Sequence, residues 1–298
     1  MNVSLRLKVK PHNMHATAKE FQSSLKLGII AGMGELPRAI IESCEATGRE
    51  FYVLAIEGVT EEETVIRAHG QYTWIRLGAI GKALDLLRKQ NVQELVMAGA
   101  IHRPKLSAIR PDLKATQLLA KLGANLFTGD NKLLSNIVEF LEEEGFKIIG
   151  AEQIVQDIIT PEGLIGSIYP DKRSQTDIEI GARIATSIGK LDVGQAVIIQ
   201  NQQVLGVEAV EGTDALIKRC ALLKNEEKGG VLVKVKKPQQ EDRVDLPTIG
   251  IYTVENIAEA GLSGIALQAG ASLILNRREV ARRADQLGIF IIGFSILE

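Results

Sequence analysis

The sequence predicts an α/β protein of two domains, an open parallel sheet flanked by helices followed by a second α/β domain. Three observations lead there. Short, wholly apolar runs alternate with segments of helical period in the first half. The pattern breaks around Thr160-Pro161-Glu162-Gly163. The second half mixes strands and helices again, with at least one hairpin signal. With 298 residues and 45% apolar content, the chain is long enough for two cores.

Leu27 to Ala31 is an apolar run suited to a buried parallel strand, and Gly32 to Pro37 is a turn. Arg38 to Thr47 repeats apolar residues at Ala39, Ile40, Ile41 and Cys44, and Gly48 is a natural helix stop. Phe51 to Ile56 reads as a strand, and Glu61 to Glu63 as a charged connection. Tyr72 to Leu77 and Glu94 to Gly99 read as strands around an 83–90 helix. Residues 110–145 read as mostly helical, with Asp130 as an N-cap, and Phe146 to Gly150 as a last strand. This alternation gives a Rossmann-like N-terminal domain over 26–155. In the C-terminal α/β domain, 156–298, Thr176 to Ile188 reads as an amphipathic helix. Ala196 to Gln200 pairs with Gln203 to Val210 across an Asn201-Gln202 turn. Helices are expected over 215–223, 254–260 and 277–287, and strands over 230–235, 264–267, 272–275 and 290–294.

Residues 1–25 show no regular pattern and no apolar h-region, so they are expected to form a poorly ordered tail rather than a secretory signal. No run of about 18 apolar residues occurs, so no transmembrane helix is expected and the protein is expected to be cytoplasmic. A net charge of -2 and 4% aromatics give no reason to expect a nucleic-acid partner. Cys44 and Cys220, in no paired motif, read as buried small apolar residues in a reducing compartment.

Chemistry concentrates in four places. Gly32-x-Gly34-x-x-Pro37 leaves a strand and opens a helix, where glycines let backbone approach a phosphate and the helix N-terminus offers free N–H groups. It can hold a phosphorylated or sugar ligand, a dinucleotide with Glu57 on the ribose, or no ligand at all, since a tight βα turn needs the same residues. Gly99-Ala100-Ile101-His102-Arg103-Pro104 lies at the carboxyl end of a strand, where ligands of open α/β sheets gather, and reads either as a ligand loop with Arg103 on an anionic group or as a surface loop with solvated charges. Glu208, Glu211 and Asp214 surround Gly212 and Thr213 at a strand-to-helix turn. They read either as solvated acids around a helix capped by Thr213 or as hard oxygen ligands for Mg²⁺ carrying a phosphorylated substrate. Carboxylates alone would repel a diphosphate, so the second reading requires the metal. Lys234, Lys236 and Lys237, followed by Arg243 and Asp245, either balance phosphate charge or defend a solvated edge strand.

Taken together, several motifs resemble the LpxI-type UDP-2,3-diacylglucosamine pyrophosphatases of lipid A biosynthesis. They are Gly28-Ile29-Ile30-Ala31-Gly32-x-Gly34-x-Leu36-Pro37, Ala98-Gly99 with Arg103-Pro104, Glu208-x-x-Glu211-Gly212-Thr213-Asp214-Ala215, Lys234-x-x-Lys237-Pro238-x-Gln240-Glu241, and Arg243-Val244-Asp245-Leu246-Pro247-Thr248-Ile249-Gly250. The resemblance runs from about residue 27 to the C-terminus, and its last two motifs are the most specific. It implies a dimer with the active site in the cleft between domains. It also implies Mg²⁺-dependent hydrolysis of UDP-2,3-diacylglucosamine to lipid X (2,3-diacylglucosamine 1-phosphate) and UMP. The critical Asp of the family's last motif falls on Asp245. One departure is at Ala100, where the family often carries a polar residue.

On this reading Asp245, Asp214 and Lys234 are the expected catalytic residues, and Asp245, Asp214 and Glu211 the expected ligands of Mg²⁺, or of Mn²⁺ in its place. The expected substrate contacts are Gly32, Gly34, Gly99, Ala100, Ile101, Arg103, Gln195, Gly212, Thr213, Arg243 and Thr248. A diacylated substrate implies transient contact with the inner-membrane surface. The rival readings are an NAD(P)-linked enzyme using the glycine turn and Glu57, and a non-catalytic nucleotide-sugar binding protein.

Overall fold

The structure, a computed structural model, describes residues 4–6, 25–101, 110–123 and 130–297. The described residues fall into two compact units. One comprises 25–156 with 241–245, and the other comprises 4–6, 157–240 and 246–297. The short segment Glu241–Asp245 therefore belongs with the N-terminal unit although its sequence neighbours do not. Contiguous sequence domains could not foresee this.

A strand β1 (Ser4–Arg6) opens the described chain, inside the segment expected to lack regular structure. The N-terminal unit is built from β2 (Leu27–Ala31), α1 (Leu36–Thr47), β3 (Phe51–Ile56), α2 (Glu62–Arg67) and β4 (Tyr72–Ile75). It continues through α3 (Ile80–Lys89), β5 (Glu94–Ala98), α4 (Leu113–Leu122), α5 (Asp130–Glu143) and β6 (Lys147–Ile148). All five strands run parallel in the order β4-β3-β2-β5-β6. The strand order reverses between β2 and β5, so the turns after these two strands meet at the switch point where such sheets bind ligands. The Rossmann-like expectation holds. Helix α2, read from sequence as a charged connection, escapes detection because six residues leave too little room for a period, yet it buries its own Thr64 and Val65. Asp130 begins α5 rather than preceding it.

Where β5 starts, Glu94 is 2% exposed and pairs with Arg49 and with Lys147, whose Nζ lies 2.8 Å away. Removing Glu94 strands Arg49, whose side chain is 9% exposed, in low dielectric, whereas Lys147, 68% exposed, rehydrates. Glu94→Ala is expected to lower stability by about 3 kcal/mol, read as the midpoint of urea unfolding. A loss near zero would mean that Arg49 rehydrates freely.

The second unit contains β7 (Gly163–Ile165), α6 (Lys172–Lys190), β8 (Ala196–Gln200), β9 (Gln203–Val207), α7 (Gly212–Ala221) and β10 (Val231–Lys234). It ends with β11 (Thr248–Ile249), α8 (Ile251–Glu259), β12 (Gly264–Gln268), β13 (Leu273–Ile274), α9 (Arg277–Leu287) and β14 (Phe290–Leu297). Its main sheet has the order β1-β14-β12-β10-β8-β9, with β7 also on β14. β10, β12 and β14 are parallel to each other, while β8 is antiparallel to β10 and to β9. α6 packs Ile178, Ala182 and Ala185 on one face against Val197, Ile199, Val231 and Val233. α7, α8 and α9 cover the other face through Leu216, Ile257 and Val280. The hairpin turn has Asn201 at φ 51° and Gln202 at φ 66°, the twist-matched turn of two-residue hairpins. Buried Asp177 fixes it, accepting from Asn201 N at 3.0 Å and Gln202 N at 2.6 Å.

Candidate active site

The glycine turn explains itself without a ligand. Gly32 N donates to Ala98 O at 2.7 Å, and Met33 and Ala100 exchange both backbone hydrogen bonds. A Cβ on Gly32 would lie 2.6 Å from Ala100 O, and one on Gly99 would lie 2.3 Å from Met33 O. Gly99 also has φ 87°. These glycines let the turns after β2 and β5 touch. Gly34 differs, since nothing lies within 4 Å of where its Cβ would be. Its N–H, at the start of α1, donates to Glu61 Oε1 at 3.2 Å, and Glu61 Oε2 pairs with Arg38 at 2.7 Å. The sequence alone pointed to Glu57, which is exposed after β3, rather than to Glu61 and Arg38. Ile101 is half-exposed, while His102 and Arg103 lie outside the described residues.

In the second unit the structure assembles a connected polar group. Lys234, the last residue of β10, is 4% exposed. Its strand lies inside the sheet between β8 and β12, so the alternative of a lysine-defended edge is overturned. Lys234 Nζ donates to Thr213 Oγ1 at 2.9 Å and to Thr248 O at 3.3 Å. Thr213 Oγ1 donates in turn to Glu208 Oε1 at 2.6 Å. Glu208, 6% exposed, accepts the Gln195 N–H on its other oxygen at 3.2 Å. Gln195 Oε1 accepts from Gln240 Nε2 at 3.2 Å. Thr213 is therefore a link in this chain and not a helix cap; the N-cap of α7 is Glu211, with no side-chain cap bond. Among the described residues no carboxylate lies within ion-pair distance of Lys234. Two of its three ammonium protons meet neutral oxygens.

The other acids of the turn are placed differently. Glu211 pairs with Arg219 at 2.7 Å, and the backbone N–H groups of its own turn together with Arg219 hold its carboxyl below the usual range. Asp214 Oδ1 accepts from Asn256 Nδ2 at 3.0 Å. Gly212, at φ 78°, makes the left-handed step into α7. Thr248 turns its hydroxyl back onto Leu246 O at 2.9 Å, leaving its carbonyl for Lys234.

Arg243 is held by carboxylates of the N-terminal unit, with Nε 2.8 Å and Nη2 3.1 Å from Glu241 and Nη1 2.6 Å from Glu142 on α5. These contacts push its pKa far above the ordinary value, Glu241 contributing most. Val244 packs into the core under α5, and Val244 N and Asp245 N both donate to Glu241 O at 3.1 Å. Arg243 thus anchors the turn that presents Asp245.

Among the described residues no group of three or more His, Cys, Asp or Glu is gathered to hold a metal. With Glu211 engaged by Arg219, the carboxylates do not make an all-protein cage. The commoner Mg²⁺ arrangement needs only one or two carboxylates together with substrate phosphate oxygens.

The fold and these groups define a class: a two-unit α/β protein with a glycine turn at the switch point of a parallel sheet and, at the end of a central strand, a buried lysine with no carboxylate partner among the described residues. The model of the LpxI N-terminal domain matches residues 26–158, and that of the LpxI C-terminal domain matches 161–292. A curated relative, UDP-2,3-diacylglucosamine pyrophosphatase LpxI of Caulobacter vibrioides, is 38% identical over 90% of this chain and 97% of its own. The chain belongs to the LpxI family. A solved structure of N5-carboxyaminoimidazole synthase from Aspergillus clavatus is 18% identical, with a TM-score of 0.22 over 67% of this chain and 44% of that one, too slight a likeness to inform the site.

Proposed function

We propose that this protein is a UDP-2,3-diacylglucosamine pyrophosphatase that hydrolyses the substrate's diphosphate to lipid X and UMP. The observation that carries the reading is Lys234, a buried ammonium whose protein partners are neutral oxygens. A buried charge is stable when paired, and a diphosphate supplies the missing anion. Mg²⁺, or Mn²⁺, held by Asp245 and the diphosphate, supplies charge neutralisation and polarises the phosphoryl oxygen when bound. Asp245 orients the attacking water, and Lys234 donates to an oxygen that gains charge as the bond to the leaving group breaks. Asp214 is the further carboxylate of this reading, its second oxygen complementing the one given to Asn256. The protein acts as a homodimer, and its diacylated substrate brings it into transient contact with the cytoplasmic face of the membrane. No helix among the described residues is long and apolar enough to cross a bilayer.

The test is release of UMP from UDP-2,3-diacylglucosamine in detergent, with Mg²⁺ and then with EDTA. UMP that appears with the metal and stops with the chelator is the expected result. No UMP from folded protein would return the glycine turn to a dinucleotide or a non-catalytic binding role.

A further inference from the structure

We propose that Glu208 is a positioning residue that aims Lys234 through the Thr213 hydroxyl. The proposal rests on the reading of Lys234 as the group that meets the diphosphate.

Its basis is directional. A threonine hydroxyl has a single proton to donate. At 2.6 Å from Thr213 Oγ1, Glu208 Oε1 takes that proton, because an ionised carboxylate only accepts. The lone pairs of Thr213 Oγ1 are then left for Lys234 Nζ, 2.9 Å away. Glu208 is itself fixed, since its second oxygen accepts the Gln195 N–H. Gln195 is held in turn by Gln240, whose Oε1 accepts from Lys237 N at 3.0 Å. The backbone guards the same geometry. Glu208 N donates to Ala196 O at 2.8 Å, and Ala196 is the register partner of Lys234 across β8 and β10. Glu208 and Lys234 are thus tied to one strand, β8, and joined through one hydroxyl. With Thr248 O as the other acceptor, the ammonium has two fixed bonds, and its remaining N–H points in a set direction.

A glutamine in place of Glu208 cannot reproduce this. Its carbonyl can accept from Thr213 or from Gln195, and its amide nitrogen accepts from neither. One of the two donors loses its partner, and the hydroxyl is free to turn. Thr213→Val removes the link and leaves Glu208 in place.

The test combines kinetics with a direct view of the ammonium. In UMP-release assays, Glu208→Gln and Thr213→Val are each expected to lower kcat about 10- to 100-fold with KM little changed, the scale of a misplaced catalytic group. Glu208→Gln with Thr213→Val is expected to be no worse than Thr213→Val alone, because both break one chain. Thr213→Ser, which restores a hydroxyl, is expected to recover at least about tenfold of the Thr213→Val loss. In protein labelled with ¹⁵N at lysine Nζ, the Lys234 ammonium is expected as a resolved cross-peak, assigned by its absence from Lys234→Met. Glu208→Gln should broaden or remove it while the other lysines stay unchanged. Losses that multiply in the double variant, or a Lys234 signal untouched by Glu208→Gln, would overturn the proposal. Full activity in Lys234→Met would instead remove Lys234 from the reaction, and the cross-peak would still decide whether Glu208 holds it.

Discussion

Asp245→Asn is expected to lower kcat for UDP-2,3-diacylglucosamine by about 10²- to 10⁴-fold, the range of a positioned acid–base group, in protein that still folds. Asp245 ends a turn to which Val244 N and Asp245 N on Glu241 O, Arg243 on Glu241 and Glu142, and Val244 in the core all contribute. Asn has the same shape and keeps the backbone, so what is removed is the negative charge and its capacity to accept a proton. Raising Mg²⁺ should recover little of the loss, because water orientation is lost together with metal affinity. Wild-type kcat in a folded Asp245→Asn protein would remove Asp245 from the mechanism and leave its motif a structural turn. Glu142→Gln provides the contrast. It loosens the anchor without touching the carboxylate, so a loss of activity there with a lowered midpoint would report misplacement rather than chemistry.

The two parts of the chain differed in how far they could be read. The strands of the first sheet were legible because parallel strands covered on both faces are uniform apolar runs, as in Leu27–Ala31 and Glu94–Ala98, and because Gly48 stops a helix at a left-handed step. The short elements β7, β11 and α2 were not legible, since tertiary neighbours rather than local period define them. The site followed the same division. Residue types gave Lys234, Thr213 and Gln195 as candidates, and the fold places them in one hydrogen-bonded chain. What sequence lacked was burial. A lysine followed by Val235, Lys236, Lys237 and Pro238 looks like solvated edge, and only the strand order puts it inside. Glu208 resembled the acids beside it until the structure buried it and left Glu211 to Arg219. Arg243 has the charge for phosphate, but partners distant in sequence hold it, and no spacing rule announces Glu142.

Lys234→Met is expected to lower kcat/KM by about 10²- to 10³-fold, the cost of losing one donor aimed at developing charge. Its effect on stability should run the other way or vanish. An ammonium with two neutral acceptors and, among the described residues, no carboxylate at ion-pair distance carries a desolvation cost, which on this reading the fold bears for its ligand. Methionine fills nearly the same volume without that cost. No acid is stranded by the change, because Glu208 keeps the Thr213 hydroxyl and the Gln195 N–H. A lysine retained for structure would behave oppositely, and its replacement would lower the unfolding midpoint and activity together. Opposite signs in the two measurements therefore mark Lys234 as an anion-binding group. A Lys234→Met protein that unfolds readily but hydrolyses normally while folded would assign the ammonium to the fold. The added substrate product UMP offers the same test without turnover: it should raise the wild-type midpoint and shift that of Lys234→Met less, since only the native state with an intact ammonium gains the phosphate contact.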